Sequence, residues 1–211
     1  MSNIAFFTDL DDTLLQSNNK VPKNKDSLSI SKNRQGEFIG KATKSQIILK
    51  EMMEEKGWII PVTGRNKDAL YRIDWNWNCF QAVSHGAIVL NRNGALNEKW
   101  ISEIQSEIDE AKPILESLNH FIEGKIKESN TDTKVLFDQG IPVYISVKNR
   151  EEVDIEKALA IEVESKVPSG WRVHLNGRNM AVLPPYASKS RAVKFIKKEL
   201  NMHENTLTIG L

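Results

Sequence analysis

A short apolar run at the start of the chain, Ile4 to Phe7, ends at two carboxylates one residue apart, Asp9 and Asp11. A run of this length bounded by polar residues reads as a buried strand. In extended chain the side chains at i and i+2 point the same way, about 6–7 Å apart at a rise of ~3.3 Å per residue. Two acids on one side of a strand's carboxyl end form a place for a hard cation and an electrophile. Such a strand belongs in a sheet whose carboxyl edge stays open to a ligand.

The next segment, residues 16–41, is polar and basic, with Lys20, Lys23, Lys25, Lys32, Arg34 and Lys41 against Asp26 and Glu37. Ser27–Ser31 and Glu37–Ile39 flank a turn at Asn33–Gly36, which predicts a small hairpin. A helix follows, with Thr43 or Ser45 as N-cap, Ile47, Ile48, Met52 and Met53 as its apolar face, and Gly57 as its stop. Trp58–Val62 reads as a strand, Thr63-Gly64-Arg65 as a turn at its carboxyl end, and Asn66 as the cap of a short helix to Ile73. Phe80–Ser84 and Ala87–Leu90 are strand-like, and Asn93-Gly94 marks a turn.

From about Glu98 the chain changes character. Ile101, Ile104, Ile108, Leu115 and Leu118 define an amphipathic helix interrupted by Pro113. Strands at Lys134–Phe137 and Val143–Val147, a helix near Glu151–Val167, and strands at Arg172–Leu175 and Met180–Leu183 complete an α-β-β-α-β-β block. Pro184-Pro185 is a sharp boundary. Ser188 caps a helix to Leu200 with Ala192, Ile196 and Leu200 on its face, and Thr206–Ile209 is a last strand. Strands alternating with helices at both ends predict an α/β fold, a Rossmann-like three-layer core around a parallel sheet. The central block reads as an α+β insertion with its own small sheet, so the core is discontinuous: residues 1–84 and 186–211, with the insertion and its hinges at 85–185.

Three segments carry chemistry. Asp9 and Asp11 lie in Phe6-Phe7-Thr8-Asp9-Leu10-Asp11-Asp12-Thr13-Leu14-Leu15; Thr63-Gly64-Arg65 follows the strand Ile59–Val62; Lys189 stands at the start of a helix just past the two prolines. In this order they resemble the first three motifs of the haloacid dehalogenase superfamily, whose first motif is DxDxT and most of whose members are magnesium-dependent phosphohydrolases. An insertion between second and third motifs is the position of the larger cap class. Within it the chain is most similar to sugar phosphatases, the sucrose-phosphate phosphatase and mannosyl-phosphoglycerate phosphatase relatives.

The resemblance implies roles. Asp9 is the nucleophile that forms an aspartyl-phosphate. Asp11 is the acid/base that protonates the leaving alkoxide and then deprotonates water. Magnesium (Mg2+) sits on the Asp9 carboxylate and the Asp11 backbone carbonyl, offsetting anion–anion repulsion. Thr63, Gly64 and Lys189 bind the phosphoryl group, Arg191 being the weaker alternative to the lysine. Arg65, His85 and Asn179 are substrate-lining candidates. His85 stands in Ser84-His85-Gly86-Ala87, where relatives often carry Asn-Gly-Ala; it either lines the mouth or is an ordinary hydrogen-bonded histidine, the commoner fate. His120, His174 and His203 show no metal-ligand spacing. The tryptophans read as core or hinge residues.

The family's fourth motif is a strand followed by Gly-Asp and a further acid that complete the magnesium shell. Here Leu207-Thr208-Ile209-Gly210-Leu211 is followed by nothing, and the expectation is a truncated version of a longer protein. The reading is a phosphohydrolase acting on a small phosphorylated metabolite, a sugar phosphate. Its rivals are a phosphomutase, a catalytically impaired phospholigand-binding protein, and a receiver-type signalling domain, which would be smaller and capless. Composition excludes other classes: 29 Lys+Arg against 28 Asp+Glu, a net charge of +1, gives no reason for a nucleic-acid or acidic-membrane partner. The sole cysteine, Cys79, suits a reducing compartment. With no signal peptide and no apolar run near the ~18 residues of a membrane span, a cytoplasmic protein is expected.

Overall fold

The computed structural model describes residues 4–127, 129–151, 154–155, 157–202 and 207–210. The expectations at Thr206, Leu211 and His203, and those at residues 152, 153 and 156 within the fourth predicted helix, lie outside the described residues. The chain folds as two compact units, Met1–Asn97 with Lys189–Leu211, and Glu98–Ser188.

The first unit begins with β1 (Ile4–Thr8), β2 (Gln16–Ser17), β3 (Ser27–Lys32) and β4 (Phe38–Thr43). Helix α1 (Lys44–Lys56), β5 (Trp58–Pro61) and the short α2 (Lys67–Leu70) follow, then β6 (Gln81–Val83) and β7 (Ile88–Leu90). The second unit contains α3 (Glu98–Lys125), β8 (Thr131–Asp138), β9 (Ile141–Asn149), α4 (Lys157–Glu164), β10 (Arg172–Asn176) and β11 (Asn179–Leu183). The chain then returns to the first unit with α5 (Lys189–Glu199) and β12 (Leu207–Gly210).

The parallel sheet has the order β12-β1-β5, with β1 in the centre. Its register pairs Phe7 with Ile60 and Thr8 with Pro61. A parallel bridge from Val62 to Ala82 carries the pairing on to β6. Central strands of a parallel sheet are buried on both faces, which is why Ala5, Phe6, Phe7, Ile59 and Ile60 are all core residues. The predicted hairpin is β3–β4, antiparallel, with β2 added to its β4 side.

Helix α1 is capped as the sequence suggests: the Thr43 hydroxyl accepts the Gln46 N–H, and the Gln46 side chain accepts the Thr43 N–H. Its apolar face is only partly the expected one: Met53 is buried and Ile47 half-buried, as the sequence suggests, but the other two positions are not. Ile48 is 45% and Met52 59% exposed, while Lys50 and Met53 are buried. The capping residue sets this rotation. Gln46 Nε2 donates to the Thr13 carbonyl at 2.8 Å, and Lys50 and Met53 lie on the same face as Gln46, at i+4 and i+7. The Lys50 ammonium then sits 5.4 Å from the Trp75 ring centroid.

In the second unit, β8–β11 form an antiparallel sheet of order β10-β11-β9-β8. Helix α3 covers β8 and β9 and runs unbroken through Pro113, where the sequence predicted an interruption. Trp100, Ile104, Ile108, Ala111, Leu115, Leu118 and Ile122 are buried at spacings of three and four, so burial on both sides of the proline pins the helix. Pro113 and Asp109, whose carbonyl loses its partner, both face out, where water satisfies the freed group.

The two units divide at Asn97 and Ser188. The reason is local pairing: β6 and β7 form an antiparallel hairpin, Gln81 opposite Leu90, and Leu90 bridges Leu96. Residues 85–97 therefore pack with the first unit. Among the described residues no helix is long and apolar enough to cross a membrane.

Candidate functional site

The site grows from the carboxyl edge of the parallel sheet. Thr8 ends β1 fully buried, and its carbonyl accepts the Val62 N–H at 2.8 Å. Asp9 and Thr63 therefore leave the sheet on neighbouring strands. The loop after Asp9 is folded around Leu10, whose carbonyl accepts the N–H groups of Thr13, Leu14 and Leu15 at 3.2, 2.9 and 3.0 Å. Leu10, Leu14 and Leu15 are fully buried. The apolar residues of this segment thus anchor the loop while its acids stay outward, Asp9 at 39% and Asp11 at 52% side-chain exposure. Asp12 takes a left-handed backbone (φ 65°) and pairs with Lys20 at 2.6 Å, which directs the third acid to the basic hairpin segment.

The Asp9 carboxylate is held on both oxygens. Oδ1 accepts the Leu10 N–H at 2.8 Å, and Oδ2 lies 2.5 Å from the Lys189 ammonium. Lys189 is the first residue of α5, 180 positions away in sequence. Of the two cations at the start of that helix, Lys189 carries the contact with Asp9.

Asp11 is engaged differently. Arg65 forks it, Nε to Oδ2 at 2.8 Å and Nη2 to Oδ1 at 2.7 Å, a geometry only a guanidinium supplies. The third arm of Arg65, Nη1, donates to the Ser31 hydroxyl at 3.0 Å. Ser31, in β3, is fully buried. From sequence Arg65 reads as a lining residue, with no sign of this partner pair.

Thr63 is fully buried, and its hydroxyl accepts the Arg65 N–H at 3.1 Å, so it braces the turn that presents Arg65. Gly64 lies against His85: a Cβ at position 64 would stand 2.7 Å from the imidazole Cε1. Asn179 belongs to the second unit, at the first position of β11 opposite Asn176.

The donor set suits a hard, oxygen-seeking cation. Each Asp9 oxygen makes one hydrogen bond, which leaves it lone pairs. Mg2+ is commonly held by one or two carboxylates together with water and substrate phosphate. Among the described residues no cluster of three or more acids, histidines or cysteines forms a ready-made metal cage.

No protein-family model and no curated protein matches this sequence. Solved structures do. The sucrose-phosphatase from Synechocystis sp. PCC6803, in complex with sucrose and phosphate, has a TM-score of 0.63 at 14% identity, covering 100% of this chain and 76% of its own. The IMP-bound, N-terminally truncated Plasmodium falciparum IMP-nucleotidase has a TM-score of 0.58 at 11% identity, covering 99% and 58%. The C-terminal domain of the C. albicans trehalose-6-phosphate phosphatase has a TM-score of 0.53 at 13% identity, covering 98% and 68%. The chain thus spans a little over half the length of the Plasmodium protein. At these identities the likeness establishes the fold alone: a mixed α/β chain with a parallel sheet and additional antiparallel sheets.

Proposed function

We propose that this protein is a phosphohydrolase that removes phosphate from a small phosphorylated metabolite, a sugar phosphate, by way of an aspartyl-phosphate. The observation that carries this reading is the Asp9–Lys189 pair, a carboxylate at the carboxyl edge of the central strand with an ammonium 2.5 Å from Oδ2. Lysine there neutralises the approach of an anionic substrate and the charge that builds on the phosphoryl oxygens.

In the proposed reaction an Asp9 oxygen attacks phosphorus, and the bond from phosphorus to the leaving oxygen breaks. Asp11 gives its proton to the departing alkoxide, then takes one from the water that attacks the aspartyl-phosphate. Inorganic phosphate leaves and Asp9 is restored. The Arg65 fork aims Asp11 and releases one of its oxygens for the proton transfer. Thr63 and Gly64 shape the phosphate-binding turn. Mg2+, held by the Asp9 carboxylate and the Asp11 backbone carbonyl, would supply charge neutralisation between nucleophile and phosphoryl group. The lone cysteine, buried at position 79, suits a reducing compartment, and a cytoplasmic location is part of the proposal.

A second reading, a phospholigand-binding protein without turnover, draws on one observation: both oxygens of Asp11 are tied up by Arg65. Phosphate release from a generic aryl phosphate, with and without Mg2+, separates the two. Magnesium-dependent release supports the hydrolase; tight phosphate binding with no release supports the binding protein.

A further inference from the structure

Three consecutive residues after β6 take left-handed backbone angles: Ser84 (φ 50°), His85 (φ 59°) and Gly86 (φ 89°). Glycine adopts such angles freely, whereas the other two hold strain that their surroundings must enforce. Two backbone hydrogen bonds enforce these angles. The Ser84 N–H donates to the Arg65 carbonyl at 2.7 Å and the His85 N–H to the Thr63 carbonyl at 2.9 Å. The strained turn is thereby stitched to Thr63-Gly64-Arg65. Helix α5, whose first residue is Lys189, packs against the same turn.

The imidazole occupies the space that Gly64 leaves. A Cβ there would meet Cε1 at 2.7 Å, Nε2 at 2.9 Å and Nδ1 at 3.3 Å, so the ring edge that carries both nitrogens lies along the turn. The residue is partly exposed. A histidine needed only for packing requires neither a strained backbone nor a glycine opposite its polar edge. Neutral imidazole offers one N–H donor, and imidazolium two.

We propose, resting on the phosphohydrolase reading above, that His85 is a third side of the phosphoryl clamp, donating a ring N–H to an oxygen of the phosphoryl group held by the Thr63 turn and Lys189. The Thr63-Gly64-Arg65 turn contains glycine so that this ring can reach the bound oxyanion.

The test is inorganic phosphate binding to the full chain in the presence of Mg2+, measured by calorimetry and by NMR of the histidine ring nitrogens. In the unaltered chain, phosphate should shift the His85 ring signals while those of His120 and His174 stay put. His85→Ala should weaken phosphate binding about tenfold, and Gly64→Ala, which displaces the ring, by a similar factor. His85→Asn, which tolerates the left-handed backbone and keeps an N–H, should bind more tightly than His85→Ala. If Lys189→Met weakens phosphate binding while His85 signals and His85 variants show no change, the His85 inference is overturned and the clamp survives. If Lys189→Met changes nothing, or the intact chain binds no phosphate, the underlying reading falls as well.

Discussion

Asp9 and Asp11 are two residues apart and have opposite kinds of partner. Asp9 meets a flexible ammonium and a backbone N–H, contacts that an incoming phosphoryl group and a cation can rearrange. Asp11 meets a rigid fork anchored on a buried serine. In the proposed mechanism the division suits a nucleophile that must approach a substrate and an acid/base that must be aimed. Replacement Asp9→Asn should lower turnover of an aryl phosphate by about three orders of magnitude or more and leave the circular dichroism spectrum unchanged; unaltered turnover would remove Asp9 from the mechanism. Arg65→Lys keeps the charge but loses the fork. It should reduce kcat more than it raises KM, because the group it mispositions acts on the leaving oxygen rather than in binding. An equal rise in KM with kcat intact would instead place Arg65 on the substrate.

Elements set these residues in place through a few contacts that can be removed one at a time. Thr43→Ala deletes the capping box of α1 and should cost about 1 kcal/mol of stability by urea titration. Gly57 ends α1 where the chain turns into β5, and a Cβ there would lie 2.2 Å from the Ile4 carbonyl oxygen. Gly57→Ala should therefore cost about 1–3 kcal/mol, since β1 must move away from β5 to make room. Pro113→Ala restores a hydrogen bond on the exposed side of α3 and should raise the urea midpoint, by up to about 3 kcal/mol in free energy. How far such things could be read from sequence depends on how far apart the partners are. The first strand, the hairpin, the caps at Thr43 and Asn66 and the α-β-β-α-β-β order were legible, because each is written within a few residues. Lys189 was legible through chain order beside the two prolines. The Arg65–Asp11–Ser31 chain was not, since three separate segments meet there and none carries a periodic mark of the others. The rotation of α1 was hidden for the same reason: the anchor of Gln46 is the carbonyl of Thr13, which any residue at that position would present. Pro113 misled because its cost is local, while the packing of Ala111 and Leu115 that overrides it is tertiary.

At the scale of the whole molecule the second unit carries an alkaline weakness. Burial, with the Asp138 charge adding to it, pushes the Tyr144 phenol up to about 12, and burial with Glu107 pushes Tyr186 up as well. Tyr186 is fully buried, with its hydroxyl donating to the Pro142 carbonyl at 2.6 Å. Both groups ionise more readily unfolded, near pH ~10, than folded. Their contribution to stability is therefore fully present below about pH 10 and is lost as pH rises through the folded values. The denaturant midpoint of this unit should fall steadily above about pH 10, and Tyr144→Phe should flatten that fall; a midpoint level to pH 12 would contradict it. The connectivity of the first unit has a consequence in time. Ile4 of β1 pairs with Leu207 of β12, and Asp9 finds Lys189 across nearly the length of the chain, whereas Glu98–Ser188 is one unbroken stretch. On the ribosome Glu98–Ser188 can fold before the first unit is complete, while β1 waits for β12. Asp9 is thus made 180 residues before the lysine that pairs with it.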